Sequence, residues 1–363
     1  MDNNLHANSP LKSDTSSGFY TYHTPADSPL QYRLHLRILP DENSLLILNA
    51  ATVMHLNKTG TFFAWAKMQT GSEEEALQLI QKQYNANATL LRKDYRAFME
   101  EIERIIQNPD QAPTAISAGY NSADSEEHLK VPMQASLCLT YRCKPDDPSD
   151  PSERSTADWK QKIKAAFDAG IPQILFFGGE PTLREDFPEL LAYTEELGLV
   201  SGLITASKRI IQEPAFVQKL IELGLDHLVL EVDPEEVKPD DLKHIFDQDL
   251  FTCIRIKVSG QNDILNWALK IVDLGANAIN VYPAEIWDGQ KTTELHQQLV
   301  KYDINLEHNL PFPLTAPNQM APKLFSPDID EDGSQTGLIL LPDGSFSPES
   351  AFKPTNENID LWK

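Results

Sequence analysis

Two short stretches of the chain hold residues whose types and spacing suit chemistry. One is Thr140-Tyr141-Arg142-Cys143 running into Lys144-Pro145-Asp146-Asp147-Pro148-Ser149-Asp150-Pro151-Ser152-Glu153, a thiol beside carboxylates in a loop stiffened by three prolines. The other is Phe176-Phe177-Gly178-Gly179-Glu180-Pro181-Thr182-Leu183. Paired glycines let backbone approach a ligand closely, and the glutamate after them offers a charged acceptor for an amino group. A tight turn with a capping glutamate explains the same residues equally well, so both readings stand. The acids Asp146, Asp147, Asp150 and Glu153 form either a solvated rigid loop or a site for a hard divalent ion such as magnesium or calcium. Cys138 and Cys253 sit inside apolar runs, as small buried hydrophobes or, together with Cys143, as a three-thiol site. The nine histidines show neither an HExxH pattern nor paired spacing, so none is assigned to a metal.

The elements that position these stretches follow from periodicity. Runs at 134–140, 173–177, 200–205, 227–232, 251–258 and 276–282 have strand character. Amphipathic helices lie between them, such as Trp159, Ile163, Ala166 and Phe167 closed by Gly170, and Phe216, Val217, Leu220 and Ile221 closed by Gly224. Alternating strands and helices imply a parallel sheet with right-handed crossovers, a partial barrel or an open doubly wound sheet. In either, ligands gather at the C-terminal ends of the strands, which is where both stretches fall. After about residue 284 the periodicity weakens, until Leu338 to Leu341, Pro342-Asp343-Gly344 and Ser345-Phe346-Ser347 suggest a late hairpin.

The first third reads differently. Residues 1–29 are rich in Ser, Asn, Pro and Thr and are expected to be a disordered arm. Leu45 to Leu48 and Thr52 to Leu56 suggest a hairpin, and Ser72 with Glu75 is a capping-box pattern opening a helix with Ala76, Leu77, Ile80 and Tyr84 on one face. Leu91, Tyr95, Phe98, Ile102 and Ile105 form the stripe of a further helix. A Pro-, Ser- and Ala-rich linker at 109–132 separates this region from the alternating one.

Composition bounds the function. The chain has 363 residues, more than one average domain, with 41% hydrophobic residues. No apolar run approaches the roughly 18 residues that span a bilayer, and the N-terminus lacks the basic and apolar regions of a secretion signal. Three cysteines argue against a disulfide framework and suit a reducing cytosol, so a cytoplasmic location is expected. A net charge of −23 opposes unspecific binding to nucleic acid or to anionic membranes.

The segment Ile171 to Phe187, the helix ending Glu196-Leu197-Gly198-Leu199, Gly202-Leu203-Ile204-Thr205 and Leu223 to Asp233 together resemble the radical SAM superfamily. That resemblance implies an α/β fold, a partial (β/α)6 TIM-like barrel over 133–284, with S-adenosylmethionine as cofactor. It implies that Gly178, Gly179, Glu180 and Pro181 hold the methionyl amino group, with Thr205 and Asp233 at the nucleotide. Thr205-Ala206-Ser207 stands where relatives often have Thr-Asn-Gly, and Glu231 replaces the usual small polar residue two positions before Asp233. Residues 30–108 resemble the PqqD-like recognition element of ribosomal peptide pathways, through Leu45-Leu46-Ile47-Leu48, Val53-Met54-His55-Leu56-Asn57, Thr70-Gly71 and Asp94 to Ile105. This implies a small winged-helix α+β domain that captures a leader peptide along a strand edge at Leu45, Ile47, Val53 and His55. Residues 285–363 resemble a remnant of the SPASM extension, through Pro342 to Pro348 and Asn358 to Trp362.

An active member of the superfamily holds a 4Fe-4S cluster through three thiolates spaced CxxxCxxC. Here Cys143 occupies the first position, while Asp147 and Asp150 stand at the other two, and Glu349 stands where relatives place a further cysteine. Thiolates are the usual cluster ligands and carboxylates are hard oxygen donors, so the cluster is expected to be absent. Without it no electron reaches the sulfonium and no radical forms. The leading expectation is therefore a non-catalytic protein that binds a precursor peptide or a partner enzyme in a peptide-modification pathway. The alternative is an active peptide-maturation enzyme with an atypical iron-sulfur site; a third is a cluster-free enzyme using S-adenosylmethionine as a polar methyl donor.

Overall fold

In the computed structural model the described residues are 18–25, 27–38, 44–49, 52–83, 87–107, 134–206, 208–258, 264–284, 289–302, 304, 306 and 338–346. The chain divides into two compact units, Met1–His128 and Leu129–Lys363. Among the described residues no helix is long and apolar enough to cross a membrane.

The first unit is an antiparallel sheet followed by three helices. Strands β1 (Gly18–His23), β2 (Arg33–Ile38), β3 (Ser44–Leu48) and β4 (Thr52–Leu56) pair in sequence order. Helix α1 (Lys58–Gln69) starts where the Asn57 side chain accepts from the Gly60 amide. It buries Phe62, Phe63 and Trp65, and Phe63 meets Tyr95 and Phe98 at ring-centroid distances of 5.6 and 5.8 Å. Helix α2 (Glu73–Gln83) is capped by Ser72, which accepts from the Glu75 amide at 3.3 Å. The Glu75 carboxylate reaches back to the Gly71 amide at 3.1 Å, one residue further than the usual capping box. Ala76, Leu77 and Ile80 are buried as their spacing requires, while Tyr84 lies outside the described residues. Helix α3 (Ala88–Gln107) buries the stripe Leu91, Tyr95, Phe98, Ile102 and Ile105.

Two expectations for this region need correction. The segment 1–29 contains β1, whose Phe19-Tyr20-Thr21-Tyr22 are strand formers surrounded by polar residues that mask them in any composition average. The expected peptide edge is also misplaced in part. Strand β3 is central, paired with β2 on one side and β4 on the other, so the backbone of Leu45 and Ile47 is already engaged. Val53 and His55 lie on β4, which with β1 forms the edges of the described sheet. The 109–132 linker lies outside the described residues.

The second unit is an α/β unit with a seven-stranded parallel sheet, β5 (Gln134–Cys138), β6 (Gln173–Phe177), β7 (Val200–Thr205), β8 (His227–Val232), β9 (Phe251–Val258), β10 (Ala278–Pro283) and β11 (Leu338–Leu340). The spatial order is β10-β9-β8-β7-β6-β5-β11. From β5 to β10 every step moves the same way, so right-handed crossovers put the helices on one face. There is no reversal of strand order to make a doubly wound sheet, and the winding is that of a partial TIM-like barrel. The intervening helices include α4 (Thr156–Ala169), α5 (Phe187–Glu196), α6 (Lys208–Gln212), α7 (Pro214–Glu222), α8 (Lys243–Phe246) and α9 (Ile264–Asp273). Helix α4 carries a full capping box from Ser155 and Asp158 and stops at Gly170, whose φ of 83° is the left-handed stop expected from its type.

Phe176 points to the helices and stacks edge-on against Phe187 of α5 at 5.5 Å. Its neighbours in the alternation therefore face the other way, where Cys138, Leu175, Phe177, Ile204, Val229, Cys253 and Ala278 form one apolar cluster. Helix α10 (Gly289–Lys301) was not expected; of its four buried residues, Gly289, Thr292, Leu295 and Leu299, only the two leucines are hydrophobic, too sparse a stripe to stand out. The late hairpin is real in its turn, since Leu341 N–H reaches Ser345 C=O at 2.8 Å, but its first arm joins the main sheet as β11, parallel to β5. Residues 347–363 of the SPASM-like segment lie outside the described residues.

Phe63 is fully buried between two other rings. Phe63→Ala is expected to cost the first unit about 3–5 kcal/mol, read as a lower midpoint in urea unfolding followed by circular dichroism.

Candidate functional site

The site forms where the loops after β5, β6 and β7 converge. The ladder between β5 and β6 continues past the strands, with Leu139 N–H donating to Phe177 C=O at 2.8 Å. The two loops then cross: Gly179 N–H donates to Thr140 C=O at 2.7 Å and Glu180 N–H to Arg142 C=O at 2.6 Å. A Cβ on Gly178 would lie 2.4 Å from the Thr140 oxygen, and one on Gly179 would lie 2.2 Å from the Arg142 oxygen. Gly178 also has φ of 144°, which side chains rarely adopt. Both glycines are thus fixed by the neighbouring loop itself.

Glu180 is the hub of this crossing. One carboxylate oxygen accepts from Thr182 N–H at 3.0 Å, Thr182 Oγ1 at 2.6 Å and Thr205 Oγ1 at 2.8 Å. The other accepts from Thr205 Oγ1 at 2.9 Å and Ala206 N–H at 3.0 Å. The side chain is only 6% exposed, and burial pushes its carboxyl above the usual range despite these donors. Of the two sequence readings of Glu180, the structure shows the structural one: it caps the 3-10 turn Pro181–Leu183, and the same carboxylate joins the ends of β6 and β7. The structure brings Gly178, Gly179, Glu180, Pro181 and Thr205 together. Asp233, just past the end of β8, has its own partners: it is paired with Lys257 at 3.4 Å and accepts from the Glu235 amide at 3.0 Å.

The acidic loop after β5 is organised by its own carboxylates. Asp147 accepts from the Cys143 and Lys144 amides, each at 2.8 Å, and Asp150 accepts from Ser152 N–H at 2.8 Å and Ser152 Oγ at 2.7 Å. These are local side-chain turns, and the donors hold both carboxyls below the usual range. Cys143 is exposed, but partial burial and the charges of Asp147, Glu180 and Glu231 push its thiol up. Cys138 and Cys253 are buried in the apolar cluster, and burial pushes the Cys138 thiol far up. Among the described residues no three His, Cys, Asp or Glu side chains are placed to hold a metal ion, so neither the three-thiol site nor the divalent-ion site is assembled. One exposed thiol, with two carboxylates engaged by their own loop, differs from the three thiolates that usually hold an iron-sulfur cluster.

Two clusters were not assigned from sequence. Glu153, at the root of the acidic loop, accepts from Thr140 Oγ1 at 2.5 Å and lies 3.6 Å from Arg184. Arg184 forks onto Asp186 at 2.9 and 2.7 Å and reaches the carbonyls of Leu139 and Arg154. On the strand face away from the helices, Glu231 and Arg255 are direct cross-strand partners and form an ion pair at 3.1 Å. The guanidinium of Arg255, 2% exposed, lies over the Tyr282 ring at 4.9 Å. Burial pushes the Glu231 carboxyl up, Arg255 offsets part of this, and Glu180 adds to it. A charge at matching positions of two adjacent apolar strands was the available signal.

Comparison with known proteins gives a consistent but partial match. Residues 138–246 match the profile of the family described as the radical SAM superfamily. A PqqA peptide cyclase of Xanthomonas campestris pv. campestris (strain B100) is 37% identical over 123 residues, 31% of this chain and 32% of that protein. The PqqA peptide cyclase of Xanthomonas axonopodis pv. citri (strain 306) is 38% identical over 117 residues, 30% of each chain. The chain thus matches about a third of the length of these curated relatives. Among solved structures, Streptococcus suis SuiB bound to S-adenosylmethionine is 17% identical with a TM-score of 0.44, covering 89% of this chain and 83% of that one.

The tie between Asp147 and the Cys143 and Lys144 amides is testable by amide hydrogen exchange. At neutral pH, Asp147→Ala is expected to speed exchange at both amides, with Asp147→Asn intermediate. Because the folded carboxyl is held low, the protection is complete above the ordinary carboxylate range and is lost as pH falls through the lowered value. The difference between wild type and Asp147→Ala should therefore vanish in strong acid.

Proposed function

We propose that this chain binds a peptide of a ribosomal-peptide modification pathway, using a radical-SAM-type barrel that carries no iron-sulfur cluster and does no radical chemistry. The observation that carries this reading is the loop after β5, where the Asp147 and Asp150 carboxylates are spent on their own loop amides. Only Cys143 remains as a soft donor there. The radical SAM match over residues 138–246 and the peptide cyclase relatives support the pathway and the peptide as ligand. In this reading residues 30–108 are the peptide-recognition domain, 109–132 a linker, 133–284 the barrel and 285–363 an extension reduced from a SPASM-like module. The partner is a precursor peptide or the enzyme that modifies it, in the cytoplasm.

S-adenosylmethionine is proposed to bind at Gly178, Gly179, Glu180 and Pro181, near Thr205 and Asp233. Glu180 is the one carboxylate at the crossing, but four donors already fill the roughly four lone-pair directions of its oxygens. An incoming amino group must therefore displace the Thr182 or Thr205 hydroxyl, and either can rotate to a new acceptor. When bound, the cofactor would supply a sulfonium; the chain's own residues orient its amino end and exclude water from it.

Three measurements test this. Anaerobic incubation with iron and sulfide should leave no stoichiometric iron and no absorption band near 400 nm, and Cys143→Ala should change neither; about four irons per chain would instead establish the alternative, an active enzyme with an atypical cluster. Calorimetry should show S-adenosylmethionine binding that Glu180→Ala abolishes, and an unchanged affinity would remove Glu180 from the site. A labelled precursor peptide encoded beside this gene should bind the full chain in fluorescence polarisation.

A further inference from the structure

The sheet of the first unit closes one edge with a strand that adds little to the core. In β1, Gly18 to Tyr22 are only half-buried and His23 is exposed, whereas β2 buries five of its six residues and β3 all five. The core contains Tyr32, Leu34, Leu36 and Ile38 as buried members, while Tyr20 and Tyr22 only rest on its rim. Besides its ladder with β2, β1 makes ring contacts. Lys67 Nζ lies 4.8 Å from the centre of the Tyr22 ring, Tyr32 lies 6.0 Å from it, and on the other face the Arg37 guanidinium lies 5.8 Å from the Phe19 ring.

Behind β1 the chain is fastened independently of it. Thr24 N–H donates to Tyr32 C=O at 3.1 Å and Tyr32 N–H to Thr24 Oγ1 at 2.9 Å. Gln31 Nε2 donates to the carbonyls of Pro25 and Ser28 at 3.0 and 2.9 Å. This clasp keeps the connection folded whatever lies N-terminal to Thr24. The strand is thus a short segment, hinged at its C-terminal end, lying on the edge of a sheet whose fully buried core residues all belong to other elements.

We propose that β1 is a tethered placeholder on the β2 edge, and that an extended peptide with aromatic residues on both of its faces takes its place, antiparallel to Arg33–Ile38. The backbone of β2 supplies the ladder, in which all six of its residues now pair with β1. Specificity comes from the cations: Arg37 and Lys67 present positive charge to ring faces on opposite sides of the strand. The inference builds on the peptide-capture reading above and adds which edge is used, what chemistry it selects and what blocks it. Because β1 is tethered, its effective concentration at the edge is high, and a free peptide competes at a disadvantage until the tethered strand is weakened.

The probe is a fluorescent synthetic peptide with the sequence of residues 16–25, Ser-Ser-Gly-Phe-Tyr-Thr-Tyr-His-Thr-Pro. Full-length chain carrying Tyr20→Ser and Tyr22→Ser should bind it at least about tenfold more tightly than wild type in polarisation. A probe with both tyrosines replaced by serine should bind neither. Wild-type amide exchange should be faster across Gly18–His23 than across Ser44–Leu48. Equal probe binding by both chains, no binding by either, a double variant that no longer folds, or β1 exchange as slow as that of β3 would each overturn the placeholder. Precursor binding without probe exchange leaves the peptide-capture reading standing and removes only this inference; failure of both removes both.

Discussion

Two backbone hydrogen bonds, from Gly179 to Thr140 and from Glu180 to Arg142, hold the mouth of the parallel sheet together. They bring the loops after β5 and β6 so close that a carbonyl oxygen would lie within 2.4 Å of a Cβ on either glycine. From this crossing the other positions follow. Glu180 is turned under the end of β7, where Thr205 and Ala206 take its carboxylate, and Thr140 is placed to reach Glu153. The acidic loop is thereby anchored at both ends, with Cys143 beside the crossing and Glu153 tied to Arg184.

The carboxylates around this mouth divide by environment. Asp147 and Asp150 are solvated and satisfied by nearby amides and a hydroxyl, which favours the charged form. Glu180 and Glu231 are withdrawn from water, and burial favours the neutral form even though each has partners. A buried pair such as Glu231 with Arg255 gives back much of its attraction as lost hydration, so its value lies in fixing one arrangement more than in adding stability. Stacking Arg255 on Tyr282 across from Glu231 restricts that arrangement further, placing a defined polar group above an apolar floor.

Much of the second unit was legible in the sequence because its central strands are largely buried and several of its helices end at glycines. The runs at 173–177, 200–205, 227–232 and 251–258 coincide with the strands, and Gly170 and Gly224 adopt the left-handed conformations their positions suggested. The glycine-glycine-glutamate turn was legible as a special place, but not the reason for it. A close approach between loops that follow different strands leaves no local pattern. The same limit hid Arg184, Arg255 and the pairing of β11 with β5, all of which depend on partners distant in sequence. In the first unit the aromatic strand β1 was lost to the polar composition around it, and β2, which was not read as a strand, pairs with the first arm of the expected hairpin and so puts Leu45 and Ile47 in the centre of the sheet.

Strand β11 has a consequence for how this protein is made. It covers the outer edge of β5, and the turn beyond it grips the acidic loop, with Arg154 N–H donating to Pro342 C=O at 2.8 Å and Arg154 Nε to Asp343 C=O at 2.6 Å. These contacts join segments 189 residues apart. During synthesis the β5 edge therefore emerges from the ribosome long before its cover, and the nascent barrel carries an open strand edge until translation has passed Leu340. Such an edge is a template for pairing with other chains. Premature termination anywhere between β10 and β11 would thus yield a product prone to aggregation, with the barrel's helices and most of its sheet already formed.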